Sequence, residues 1–151
     1  MLKLDIPGLG AVQIDHLVLD YNGTIAEGGI PVPGVLERLQ ELSRILEIHV
    51  ITADTFSSAA SRLTGYPLRF FLIPPGNQDA AKRAFVESLD ASRVVAVGNG
   101  FNDALMLQVA RIGIAVIMKE GLSVRSLQEA DLVVRDIVDA LDLLLHPQGL
   151  V

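Results

Sequence analysis

Short apolar runs alternate with segments of helical periodicity along the whole of this 151-residue chain, and that alternation limits the fold more than any other feature. The pattern predicts strands over 2–6, 12–20, 49–51, 68–73, 93–97, 112–118 and 132–134. Between them it predicts helices over 33–46, 55–63, 78–89, 102–110, 123–130 and 137–145. Pro33 suits a first helical turn, and Val35, Leu36, Leu39, Leu42, Ile45 and Leu46 recur at helical spacing behind it. Strands that are continuous apolar runs are buried on both faces. The expectation is therefore α/β: a three-layer, Rossmann-like parallel sheet with helices on both faces, formed by residues 1–151 as one domain.

Composition narrows the chemistry. A chain of this length buries roughly 70% of the surface it exposes when unfolded, so it needs no disulfide or structural metal to fold. It has no cysteine, which leaves oxygen and nitrogen groups for any catalysis. A net charge of -6 argues against a broad nucleic-acid surface. No apolar stretch is long enough to span a bilayer and no basic-then-apolar leader opens the chain, so a cytoplasmic address is expected. The 50% hydrophobic content and mean hydropathy of +0.45 fit apolar surface covered by another subunit, hence a homo-oligomer shielding the site, and fit as well a parallel sheet buried on both faces.

In open parallel sheets, ligands collect outside the carboxyl ends of the strands. Four strand ends here carry reactive groups. Asp20-Tyr21-Asn22-Gly23-Thr24 follows Leu17-Val18-Leu19, and it joins a carboxylate to a glycine turn whose following amides can face an anion. Thr52 follows Val50-Ile51. The segment 74–82, ending in the helical Lys82, follows the 68–73 run. Gly98-Asn99-Gly100-Phe101-Asn102-Asp103 follows the 93–97 run.

This ordered set resembles the signature of the haloacid dehalogenase superfamily of phosphotransferases. The stretch 97–104, with Gly113-Ile114-Ala115 and Ala130-Asp131-Leu132-Val133-Val134, is similar in particular to the phosphorylation domain of P-type ATPases and to small soluble relatives of it. The resemblance implies a Mg2+-dependent phosphohydrolase or phosphotransferase that forms an aspartyl phosphate at Asp20. It assigns Thr52 to a phosphoryl oxygen and Lys82 to charge neutralisation. The implied metal ligands are Asp20, the backbone carbonyl of Asn22, Asn99 and Asp103, while Gly23, Thr24, Gly100 and Asn102 support the phosphate and its loop. Such transfer passes through a loose anionic transition state, so catalysis is mainly positioning and charge neutralisation.

Two positions depart from that pattern. Phosphatases of the superfamily usually have an aspartate at Asn22, which protonates the leaving group, and an amide forfeits help worth roughly 10²–10⁴-fold. Asn99 stands where a metal-binding aspartate is usual, so the site has one negative charge fewer. Together they predict low turnover or restriction to good leaving groups, with a small phosphorylated substrate or acyl phosphate as partner. The alternative is a catalytically silent phosphate-binding or assembly module. No cap domain is expected, because 24–52 and 52–82 have room for little beyond the predicted helices and strands, and the 27–32 loop becomes a flap or contact segment. A phosphorylation-receiver domain would pair acids on its first strand, and Gly98-x-Gly100 lacks the third glycine of a dinucleotide loop. His16, His49 and His146 are dispersed without metal-ligand spacing and read as structural.

Overall fold

The computed structural model describes residues 1–53 and 56–151, and the side chains of all of these except 56–58. Among the described residues, six strands form a parallel sheet in the order β10-β9-β8-β3-β6-β7. In chain order these are β3 (His16–Asp20), β6 (Glu47–Thr52), β7 (Arg69–Leu72), β8 (Val94–Gly98), β9 (Ile112–Val116) and β10 (Leu132–Val134). From β3 the chain builds outward through β6 and β7, then crosses to the other side of β3 and builds through β8, β9 and β10. The reversal leaves a crevice at the carboxyl ends of β3 and β8, where open α/β sheets bind ligands.

Alternate residues of the central strands serve two cores. Leu17, Leu19, Ile48, Val50, Val95 and Val97 face one way, against buried residues of α1 (Val35–Leu42), α2 (Phe56–Leu63) and α6 (Ile137–Leu145). Val18, Ile51, Val94 and Ala96 face the other, against α3 (Gln78–Ser88), α4 (Ala104–Val109) and residues flanking α5 (Val124–Glu129). The expected three layers are present.

Three local expectations change. The run 12–20 is two strands, because β2 (Gly10–Ile14) pairs antiparallel with β1 (Leu2–Ile6) in a separate hairpin. The break falls at Asp15, whose amide donates to Arg93 O at 2.9 Å and whose carboxylate pairs with the Arg93 guanidinium. Burial alternates along β2 and becomes continuous in β3, as befits a half-exposed hairpin and a central parallel strand. Next, α1 ends at Leu42 rather than 46: tight turns through Ser43 and Arg44 bring Leu46 into the core. Finally, the 27–32 loop is largely a hairpin, β4 (Ala26–Glu27) with β5 (Ile30–Pro31), turned by Gly28 and Gly29 at positive φ. Of the predicted 55–63 helix, residue 55 lies outside the described residues.

Candidate active site

Register places the reactive groups side by side. Asp20, the last residue of β3, pairs with Ile51 of β6, so Thr52 lies one step beyond it, and on the other flank Leu19 pairs with Val97, just before Gly98-Asn99-Gly100. Asp20, Asn22, Thr52, Gln78, Lys82, Asn99, Gly100, Asn102 and Glu120 line one cleft of about 250 Å³. The four predicted strand ends therefore converge.

Lys82 is the hub. It projects from α3 with 2% of its surface exposed, and its Nζ donates to Asp20 Oδ1 at 2.9 Å, Asp103 Oδ1 at 2.7 Å and Asn102 Oδ1 at 3.2 Å. Burial pulls its pKa down, but the two carboxylates outweigh it and hold the ammonium above its ordinary value. Asp103 is fully enclosed. Its Oδ2 accepts from the amides of Asn99 and Gly100, both at 2.9 Å, while its Oδ1 is held by Lys82. A side chain at Gly98 would collide with this carboxylate, so a glycine there lets it tuck beneath the loop. With both oxygens engaged, Asp103 braces the loop and positions Lys82, and it does not line the cleft.

The Thr24 hydroxyl lies 3.3 Å from Asp20 Oδ2 and 3.2 Å from Asn99 Oδ1. It has a single proton to give, so it can serve only one of these two adjacent oxygens at a time. Burial first, and then the charge of Asp103, push the Asp20 carboxyl up to about 7 against the opposing pull of Lys82. Two buried carboxylates share one ammonium here. A hard divalent cation such as Mg2+, which favours oxygen ligands, fits this excess of acceptors and negative charge, with Asp20 and Asn99 as the side-chain donors facing the cleft.

No protein-family model matches the chain. The uncharacterized protein MJ0073 of Methanocaldococcus jannaschii is 42% identical over 79 residues, which are 50% of this chain and 85% of that protein. The 3-deoxy-D-manno-octulosonate 8-phosphate phosphatase of Moraxella catarrhalis, solved with magnesium and phosphate ions, superposes with a TM-score of 0.70 at 16% identity over 90% of this chain and 88% of its own. The cobalt-bound enzyme of Haemophilus influenzae gives 0.73 at 13% identity, over 91% and 90%. The chain belongs to one family with MJ0073, and its fold is that of the haloacid dehalogenase superfamily. The catalytic domain of the CPx-ATPase CopB-B is also similar, with a TM-score of 0.62 at 22% identity, over 76% of this chain and 45% of that one. At these identities the solved structures share the haloacid dehalogenase fold. Among the described residues that fold carries no cap: β4, β5 and α1 are the elements between Asp20 and β6, and α2 and β7 those between β6 and α3.

Two cleft residues escaped the sequence reading. Gln78 opens α3 and accepts from Asn102 Nδ2 at 2.7 Å, which fixes the Asn102 amide so that its oxygen faces Lys82. Glu120 follows the carboxyl end of β9, a strand end not counted among the four. Its carboxylate overlies Gly23, where any Cβ would overlap Oε2, and the positive φ of 76° at Gly23 also favours glycine. Ser126 adds support from below, its hydroxyl donating to Gly100 O. Among the described residues, no helix is long and apolar enough to cross a membrane.

Proposed function

We propose that residues 1–151 act as one Mg2+-dependent phosphohydrolase or phosphotransferase domain that captures a phosphoryl group on Asp20. The observation that carries the reading is the convergence of Asp20, Lys82, Asn99 and Asn102 on one cleft, with Thr24 behind Asp20 and Lys82 bonded directly to the would-be nucleophile. Asp20 and Asn99, with the Asn22 carbonyl, would hold the cation. When bound, it neutralises charge on the phosphoryl oxygens.

An Asp20 carboxylate oxygen attacks phosphorus, the bond to the leaving oxygen breaks, and the electron pair departs with that oxygen. Lys82 counters the charge that nucleophile and phosphate bring together, and Thr52 donates to a phosphoryl oxygen from the next strand end. Water then attacks phosphorus, which restores the Asp20 carboxylate and releases phosphate. Asn22 cannot exchange a proton at useful pH, so acyl phosphates and other good leaving groups are favoured. The sugar phosphatases of similar fold act on a phosphomonoester, and a small phosphorylated metabolite is the substrate class proposed here.

Hydrolysis of acetyl phosphate and p-nitrophenyl phosphate, with and without Mg2+, tests this. Asp20→Asn is expected to abolish Mg2+-dependent turnover, and Asn22→Asp to raise turnover on the poorer leaving group by roughly 10²-fold or more. Turnover that survives Asp20→Asn would exclude the mechanism. An inert wild type would favour the silent phosphate-binding module that Asn22 and Asn99 suggest.

A further inference from the structure

The amino-terminal ends of β3 and β6 hold a second constellation, at the opposite end of the sheet from Asp20. His16 begins β3, Glu47 begins β6 and pairs with it in register, and His49 lies two residues further along the same face. Dispersed in sequence and read there as structural, the two histidines meet in space. His16 Nδ1 and His49 Nε2 are 3.2 Å apart, and Glu47 Oε2 lies 3.7 Å from the first and 3.9 Å from the second. His49 is buried, with Phe85 of α3 edge-on to its ring at 5.6 Å, whereas Glu47 is exposed.

We infer that His16, Glu47 and His49 form a transition-metal site, of the kind zinc occupies, which clamps β3 to β6. The three atoms make a triangle with sides of 3.2, 3.7 and 3.9 Å, so a point about 2.1 Å from each lies in its plane, matching zinc–imidazole and zinc–carboxylate bonds of about 2.0–2.2 Å. A hydrogen bond between two neutral imidazoles accounts for the first side alone. It gives no reason for a carboxylate oxygen to close on both ring nitrogens. The rings are tilted by 49° rather than stacked, so their nitrogens and not their faces converge.

The donor set points to the class of ion. Two imidazoles and one carboxylate suit zinc and its neighbours in the first transition row, whereas Mg2+ favours oxygen alone. Arg69, 3.8 Å from the same Glu47 oxygen, is the charged group competing for it. It is largely exposed and free to swing aside. An open hollow of about 420 Å³ lined by Asp15, His16 and Glu47 gives the ion a path in and leaves its fourth position to water. Asp15 itself is tied to Arg93.

Cobalt(II) titration of the whole chain in excess Mg2+ tests the site, since Co2+ in an imidazole site has visible bands and Zn2+ displaces it. One Co2+ per chain is expected, with affinity falling about tenfold or more in His16→Ala and in Glu47→Gln and unchanged in Asp20→Asn. Both substituted ligands are partly exposed, so these variants are expected to fold. Zinc should also move the ring-nitrogen resonances of His16 and His49 and leave His146 as an internal reference. The inference is overturned if the wild type binds neither ion, or if His16→Ala and Glu47→Gln bind as well as it does. It is equally overturned if Asp20→Asn alone removes the bands. None of these results depends on the phosphoryl-transfer reading.

Discussion

Asn99 is the residue at which the proposed cation site departs most from a strong one, and the change is chemically small: an amide oxygen in place of a carboxylate oxygen. Restoring the charge is therefore informative. Asn99→Asp should tighten Mg2+ binding on the order of tenfold, measured by calorimetry, because charge count tunes hard-cation sites. Asp20 makes a second residue-scale prediction. Its folded pKa, about 7, lies above its ordinary value of 3.8, so the native state holds a proton that the unfolded chain has released. That contribution to stability is complete below pH 4 and is lost as pH rises through 7. In metal-free protein, Asp20→Asn should match the wild type near pH 4 and exceed it above pH 7 by on the order of 1–3 kcal/mol in urea denaturation. The candidate residues could be placed at strand ends from the sequence, because the segments that carry them follow apolar runs. Glu120 and Gln78 were not. Neither belongs to a spaced motif, and only folding brings the loop after β9 over Gly23.

Among the elements, α6 illustrates how a helix earns its place. Ile137, Ala140, Leu141 and Leu144 are fully buried, its cap Asp136 accepts from the Asp139 amide at 2.8 Å, and Asp142 receives a two-pronged bond from Arg38 of α1 at 2.6 and 3.1 Å. Leu141→Ala should cost about 2–5 kcal/mol of unfolding free energy, since the central layer gives little room for collapse into the cavity. The Arg38 bond lowers the Asp142 pKa, so its contribution is present above the ordinary carboxylate range and is lost as pH falls through the lowered value. Of the acidic residues in and beside this helix, Asp142 joins two helices and Asp136 caps one. The strands of the parallel sheet and the helices that flank it were readable from periodicity, whereas the β4–β5 hairpin was not. The boundaries at Asp15 and Leu42 were not, because both depend on partners distant in sequence or on a turn that no breaker residue announces.

For the molecule as a whole, a cation that binds the native cleft and not the unfolded chain must stabilise the fold. At tenfold excess over its dissociation constant, Mg2+ should add about 1.4 kcal/mol to the wild type and markedly less to Asp20→Asn, read from the thermal midpoint. The sheet's outer boundary has a different significance. β7 ends the sheet on one side with Phe71 and Leu72 partly in solvent, and among the described residues no further strand covers it. Such an edge offers free amides and carbonyls to any passing extended chain. The sequence brackets it with Pro67 on one side and Pro74-Pro75 on the other, so the strand remains four residues long. Prolines so placed interrupt the backbone pairing that fibril growth needs. Replacing Pro74 and Pro75 with threonine should speed thioflavin-positive aggregation of the partly unfolded protein while barely changing the cleft, which makes colloidal lifetime, rather than catalysis, the property this border protects.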